Sequence, residues 1–438
     1  MLCKKFWIGV CSKTKAVKMK RSSFLGCLLA GACGDALGAK VEFIGRSVSI
    51  FRKYGPRGIR DIGMNYDVFG GVTDDTQMTL FTAEGLISAF LPLLVGERSE
   101  VSESLFQPED TVPSLHQSYL RWLKTQGVRS NSPAYKNEVV DRGWLIQQKS
   151  LFARRAPGNT CLGALMSGAV GSTHNLINNS KGCGGVMRVA PCALIVAAGF
   201  PDLPKDQKLH LAFKLGCSAA AVTHTHPSGW LSSGCLASII LSILSGECLE
   251  KSVEETIVLL EKEPKHKECL QKVEQAMRLA TLFHKKSVEF AEGSVEKQDL
   301  ALEHIEMIGE GWVGEEALGI ALYCCLISPN DIETAVCYAV NHGGDSDSTG
   351  AIAGNILGAL LGSEAIPSRW TQAVELRDVI QKVSNDLFDV LDPQKQQKLT
   401  LRYPPAVMTT NNGTDLKPYY QAQFGLHERC SRILETPE

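Results

Sequence analysis

Apolar and polar positions along this chain recur with a helical period rather than a strand period. Over residues 24–40, Leu25, Leu28, Leu29, Ala32 and Ala36 follow one another at three- and four-residue steps, which gathers one apolar face on a helix. The same spacing returns at 78–94, 208–222, 230–245, 253–261, 270–283, 315–326 and 331–340, and a further helix is expected over 350–362. Long alternating strands are hard to find. The pattern predicts an all-α protein, a compact orthogonal helical bundle with its functional loops at helix ends. Forty glycines in so helical a chain imply close helix contacts and tight caps.

The organisation along the chain is simple. Residues 1–21 carry seven Lys or Arg and no acid, and read as a basic N-terminal extension, because the apolar stretch FWIGVC is shorter than a signal-peptide core. Residues 22–403 form the main domain. From Tyr403 the sequence turns rich in Pro, Asn and Thr, so residues 404–438 are expected to be an extension that packs loosely or not at all. Composition excludes several classes. With 438 residues, 44% apolar and 21% charged, the chain can bury a large core, and a formal net charge of −2 gives no overall field for nucleic acid or an acidic membrane. The longest apolar runs fall short of a membrane span. Fifteen cysteines, an odd number without CxxC spacing, read as small core residues of a reducing, cytoplasmic compartment, and the protein is expected to be a monomer.

Candidate chemistry gathers at two oxygen-rich clusters. NHGGDSDSTG (341–350) sets Asp345, Asp347, Ser348 and Thr349 between glycines, and GGVTDDTQMTL (70–80) sets Thr73, Asp74, Asp75 and Thr76 after another glycine pair. One such residue suffices to cap a helix, which leaves the second aspartate of each cluster unexplained. Carboxylates and hydroxyls at this density suit a hard divalent cation, and two clusters suggest opposite walls of one two-metal site. His224 and His226 in THTHP have no other His or Cys at zinc-type spacing, so zinc is not expected. GDALGAKVE places Asp35 and Glu42 seven residues apart, two turns of a continuous helix and so one face. NNSKGCGGVMRVAP (178–191) offers backbone N–H groups that a phosphate can approach.

Taken together and in this order, GDALG with Glu42, GVTDDTQM, SKGCGGVMR, THTHP and NHGGDSDSTG resemble the ADP-ribosylglycohydrolase family, from about residue 22 to 403. The resemblance implies two Mg²⁺ ions, or Mn²⁺, held by Thr73, Asp74, Asp75, Asp345, Asp347 and Ser348. It implies a substrate loop of Ser180, Gly182, Gly184 and Gly185 with His224 beside the diphosphate, and an acidic Glu42 acting as base or gate; either Glu42 or Asp75 would take the proton from water. Two departures stand out. Ser348 occupies a place often held by threonine, and Cys183 one often held by asparagine. Asp35 reads better as a buried carboxylate that accepts helix-end N–H groups, and Arg188 stays open. The implied activity is removal of ADP-ribose from an ADP-ribosylated protein, releasing ADP-ribose. DSDST favours the arginine linkage; a serine-linked substrate, a non-catalytic ADP-ribose binder and a metal phosphohydrolase are the competing readings.

Overall fold

A computed structural model describes residues 19–95, 107–291 and 293–424. Among these residues it contains nineteen α-helices and a single two-stranded antiparallel ribbon, Met64–Asn65 with Val68–Phe69. The all-α expectation holds. Its core is built around the helix Pro227–Leu244, which is apolar all round and flanked by Lys205–Ala221, Ala190–Gly199 and Gly314–Ile327. That helix is long and apolar enough to cross a membrane by composition, but 89% of it is buried inside the protein.

The packing that positions the site is between the first helix, Arg21–Gly38, and the helix Ser346–Leu361. Glycines let their backbones touch. A Cβ built on Gly34 would lie 2.1 Å from the Gly350 carbonyl oxygen, and one on Gly38 would lie 2.2 Å from that of Ser346. No side chain fits between helices this close, so the first helix fixes the start of the second, where Asp345, Asp347 and Ser348 stand.

Four expectations need correction. The second of these helices begins at Ser346, not at residue 350, so Asp347 and Ser348 lie in its first turn rather than in a preceding loop. The apolar period that marks it starts only at Ile352, because its first turn faces the site instead of a hydrophobic neighbour. The first helix ends at Gly38 and Glu42 opens a separate 3-10 turn, so Asp35 and Glu42 do not share a helical face. Asp345 takes the N-cap position of the Ser346 helix, yet its side chain makes no cap hydrogen bond.

The fourth concerns the tail, whose described part, to residue 424, packs firmly. Gln117 donates to the Val407 carbonyl at 2.7 Å and accepts from the Val407 N–H at 2.8 Å, while Leu416 and Tyr420 are wholly buried. A few apolar anchors and one bidentate amide hold a segment whose composition looked loose. The basic stretch 1–18 and residues 425–438 lie outside the described residues. The twelve described cysteines are free thiols, and ten are buried, consistent with core residues.

Candidate metal centre and active site

One wall is the start of the helix Asp74–Val95. Its cap comes from elsewhere: Asp35 on the first helix accepts from the Thr73 N–H (3.0 Å), the Thr76 N–H (3.1 Å) and the Thr76 hydroxyl (2.5 Å). This is the structural role read for Asp35. Burial, then repulsion from Asp347, pushes the Asp35 carboxyl up to about 7 against those hydrogen bonds. The Thr73 hydroxyl accepts from the Asp75 N–H at 3.3 Å, and Asp74 accepts from the Gly158 N–H at 3.1 Å. Asp75 keeps a buried carboxylate oxygen with no partner.

The second wall is the Ser346 helix start. The Asp345 N–H donates to the Glu310 carbonyl at 2.8 Å, which fixes the turn, while one of the Asp345 carboxylate oxygens is buried without a partner. Asp347 accepts the Ser348 N–H at 3.0 Å, and the Ser348 hydroxyl donates to the Met187 sulfur at 3.9 Å, a bond that uses its proton and not its lone pairs. Thr349 is engaged instead with the Ala339 carbonyl (2.7 Å) and His342 (2.9 Å), and so belongs to the scaffold.

Glu42 closes the site from a third direction. Glu42, Asp345 and Asp347 each offer a carboxylate oxygen, all within 4.8 Å of one another, and all three residues are buried. Burial first, then the charges of Asp347, Asp345 and Asp74, raises the Glu42 carboxyl to about 10. Burial also holds Asp74, Asp75 and Asp345 well above the ordinary carboxylate range, with Asp347 repelling each. Asp74 and Asp75 stand outside that group of three and feel its charge through Asp347. Buried carboxylates that face each other with orphaned oxygens are what a hard divalent cation satisfies. The donor set therefore fits the metal that the sequence implies.

The glycine loop lies next to this cluster. Ser180 bonds through its hydroxyl to Thr160 (2.9 Å) and receives the Gly182 N–H (3.3 Å), so the loop folds back on itself. His224 underlies it: a Cβ on Gly184 would meet the imidazole Cε1 at 3.0 Å, and one on Gly182 would meet Nε2 at 3.5 Å. Burial, with Arg188 nearby, lowers His224 to about 3 and keeps it neutral. Arg188 donates to the Thr223 oxygen at 2.7 Å, and the same hydroxyl is bonded to His224 Nδ1 at 2.9 Å. The other ring nitrogen, Nε2, lies on the side of the loop. Arg188 also lies over the Tyr119 ring, 4.3 Å from its centroid, and so builds the core beneath the loop. Gly185 packs against Ala220 and the Gly229 carbonyl, the Cys183 thiol faces Asp345 and Ser348, and His226 caps the Pro227 helix by accepting the Ser228 N–H at 3.1 Å.

Three residues at the mouth escaped the sequence reading. Trp312 sits on a segment whose carbonyl accepts the Cys183 N–H at 3.2 Å, and Phe43 follows Glu42 directly. Tyr66 occupies the two-residue turn of the ribbon with φ of 49°, beside Asp67 at 61°, the paired positive values of a tight hairpin turn. Isolated aromatics carry no periodic signal, although a tryptophan set between glycines in GEGWVG was a cue.

The ADP-ribosylglycohydrolase family model matches residues 17–397 of this chain. The chain belongs to that family. An uncharacterized protein of Archaeoglobus fulgidus is 26% identical over 378 residues, which span 84% of this chain and 96% of the relative. ADP-ribosylhydrolase ARH3 of Gallus gallus is 26% identical over 232 residues, 48% of this chain and 58% of its own length, so the match spans little more than half of that protein. ADP-ribosylarginine hydrolase Tri1 of Pseudomonas putida is 38% identical over 60 residues, 14% of this chain and 16% of the relative. Among solved structures, the chain of an ADP-ribosylglycohydrolase-related protein complex superposes with a TM-score of 0.51 at 23% identity, covering 86% of this chain and all of that one, which supports the all-α fold.

Proposed function

We propose that this protein is a divalent-metal-dependent hydrolase that removes ADP-ribose from modified proteins, with the arginine linkage preferred. The observation that carries it is the buried cluster of Glu42, Asp345 and Asp347 with orphaned carboxylate oxygens, bordered by Asp74 and Asp75 and adjoining a glycine loop backed by a neutral histidine. Thr73, Asp74, Asp75, Asp345, Asp347 and Ser348 would hold two Mg²⁺ or Mn²⁺ ions. When bound, such ions supply Lewis acidity and fix hydroxyl groups of a ribose.

The chain's own residues do the rest. The loop of Ser180, Gly182, Gly184 and Gly185 receives the diphosphate through the N–H groups of Gly184 and Gly185, since those of Ser180 and Gly182 already donate to Asn178 and Ser180, and His224 presents Nε2 there. Breaking the bond from ribose C1 to its acceptor builds oxocarbenium character, which the surrounding carboxylates stabilise. Glu42, on a separate turn and ionised once cations offset the charges of Asp347, Asp345 and Asp74, takes the proton of the attacking water; Asp75 is the alternate base. The acceptor leaves with a proton drawn from solvent, and ADP-ribose is the product. The similarity to the Pseudomonas ADP-ribosylarginine hydrolase favours arginine over serine as acceptor. We place the activity in the cytoplasm and assign it to a monomer.

Incubation with arginine-, serine- and glutamate-linked ADP-ribosyl proteins, with and without Mg²⁺, tests the reading. ADP-ribose plus free protein is the expected outcome; AMP plus ribose phosphate would mean attack on the diphosphate, and absence of turnover would mean a binder.

A further inference from the structure

Two aromatic side chains at the mouth of the site remain unused by the scheme above. Phe43 is 71% exposed and Trp312 41% exposed, and their rings lie near-parallel, 24° apart, with centroids 6.5 Å from one another. Apolar rings left this open on the rim of a polar site expose surface that a ligand can cover.

The backbone of both is held in place. Gly45, with φ of 77°, ends the 3-10 turn that begins at Glu42, and the chain behind it rests on the second wall: a Cβ on Gly343 would meet the Gly45 carbonyl oxygen at 2.7 Å. Trp312 rides on a strap clamped at both ends. On one side Glu310 accepts the Asp345 N–H; on the other the Trp312 carbonyl accepts from Cys183, a bridge pairs Val313 with Gly182, and the Gly314 N–H donates to Lys181 at 2.8 Å. The pair therefore spans the gap between Glu42 and the glycine loop, at the reacting end of the site.

We infer that Phe43 and Trp312 form a platform for the leaving group of the substrate, the guanidinium of an ADP-ribosylated arginine, which stacks on the rings as it is released. The inference rests on the arginine reading above. A guanidinium is flat, cationic and weakly hydrated, and it binds aromatic faces through the ring quadrupole. A serine hydroxyl, neutral and small, lacks that attraction. The high exposure of Phe43 also suits an acceptor that stays attached to a protein and cannot enter a closed pocket.

The test is a set of variants, Phe43→Ala, Trp312→Ala, Phe43→Tyr and Trp312→Phe, in the full chain with Mg²⁺. Three quantities are read: kcat/KM on an ADP-ribosyl-arginine substrate, kcat/KM on a serine-linked peptide, and the affinity for ADP-ribose, which lacks the acceptor. Each alanine variant is expected to lose about 5- to 30-fold on the arginine substrate, the range of an exposed to partly desolvated cation–π contact. Affinity for ADP-ribose and the serine rate should stay within about twofold, and the aromatic replacements should restore the arginine rate. A matching loss of ADP-ribose affinity would overturn the inference, since the pair would then hold the nucleotide. Unchanged arginine kinetics in a wild type that does release arginine would overturn the platform alone. A wild type that releases serine but not arginine would overturn the arginine reading, and the platform with it.

Discussion

Replacing Gly38 by alanine isolates what the contact between the first helix and the Ser346 helix does for the site. A Cβ at this position would lie 2.2 Å from the Ser346 carbonyl oxygen and 2.4 Å from the Asp347 nitrogen, more than 1 Å inside the 3.4 Å of an ordinary contact. Neither obstacle is a flexible side-chain end, so the helix start carrying Asp345, Asp347 and Ser348 must retreat by about 1 Å. Overpacking of this kind costs about 1–3 kcal/mol, offset in part by the ~1 kcal/mol that alanine gains over glycine within a helix. Catalysis should suffer more than stability, because a displacement of about 1 Å at reacting groups can cost about 100-fold. Gly26→Ala is the matched control. Its Cβ would lie 2.2 Å from the Gly358 carbonyl oxygen, the same clash, but twelve residues back along the helix, about 18 Å from Gly38. Urea unfolding should show similar losses for both variants, while initial rates should fall at least tenfold further for Gly38→Ala. Equal rates at equal stability would refute the claim that this contact sets the geometry of the second wall.

The remaining predictions concern the carboxylates and the cation. Asp347→Asn should abolish turnover and leave circular dichroism unchanged, since it alters charge and not volume; a wild-type rate would remove Asp347 from the site. Exhaustive chelation should abolish ADP-ribose release, with recovery on adding Mg²⁺ or Mn²⁺, and persistent activity in a metal-free preparation would sink the assignment. Metal-free protein should lose stability as pH rises from about 6 to 9: Glu42, raised to about 10, binds a proton in the folded state that the unfolded chain has released, which gives about 1.4 kcal/mol per pH unit for each such proton. Saturating Mg²⁺ should flatten that slope, and a flat metal-free profile in chemical denaturation would contradict the burial argument. Asp35→Asn should cost about 1–3 kcal/mol by setting an amide N–H against the Thr73 and Thr76 donors, and should lower activity through the shifted first turn.

Much of the fold was legible because its helices bury one face each, and a 3.6-residue period survives wherever that holds. Where a helix faces something other than core, the period fails. The first turn of the Ser346 helix gives Asp347 and Ser348 to the site while the Ser346 hydroxyl turns back onto the Gly344 carbonyl, so Ser346, Asp347 and Ser348 read as loop. The tail failed for the opposite reason: Met408, Leu416 and Tyr420 are too widely spaced to make a pattern, yet each is buried where it lands. The proximity of Asp35 and Glu42 was argued from a continuous helix that ends at Gly38; Glu42 reaches Asp345 and Asp347 through a separate turn.

The candidate site shows a subtler limit. Aspartate and threonine at a helix start are ambiguous in sequence, because the same oxygens that bind a cation also cap the helix. The structure separates the two uses for the carboxylates, while Thr73 alone is left with both. At the first wall the capping is done by Asp35 from another helix and by the Thr73 hydroxyl, which leaves the free Asp75 oxygen uncommitted. At the second wall Asp345 makes no cap bond, and the Glu310 carbonyl fixes the turn through the backbone instead. In both cases a group distant in sequence takes over a local duty, so the carboxylates can stay buried and unpaired. That arrangement is unfavourable without a positive charge between the walls, and it is the strongest physical reason to assign one there.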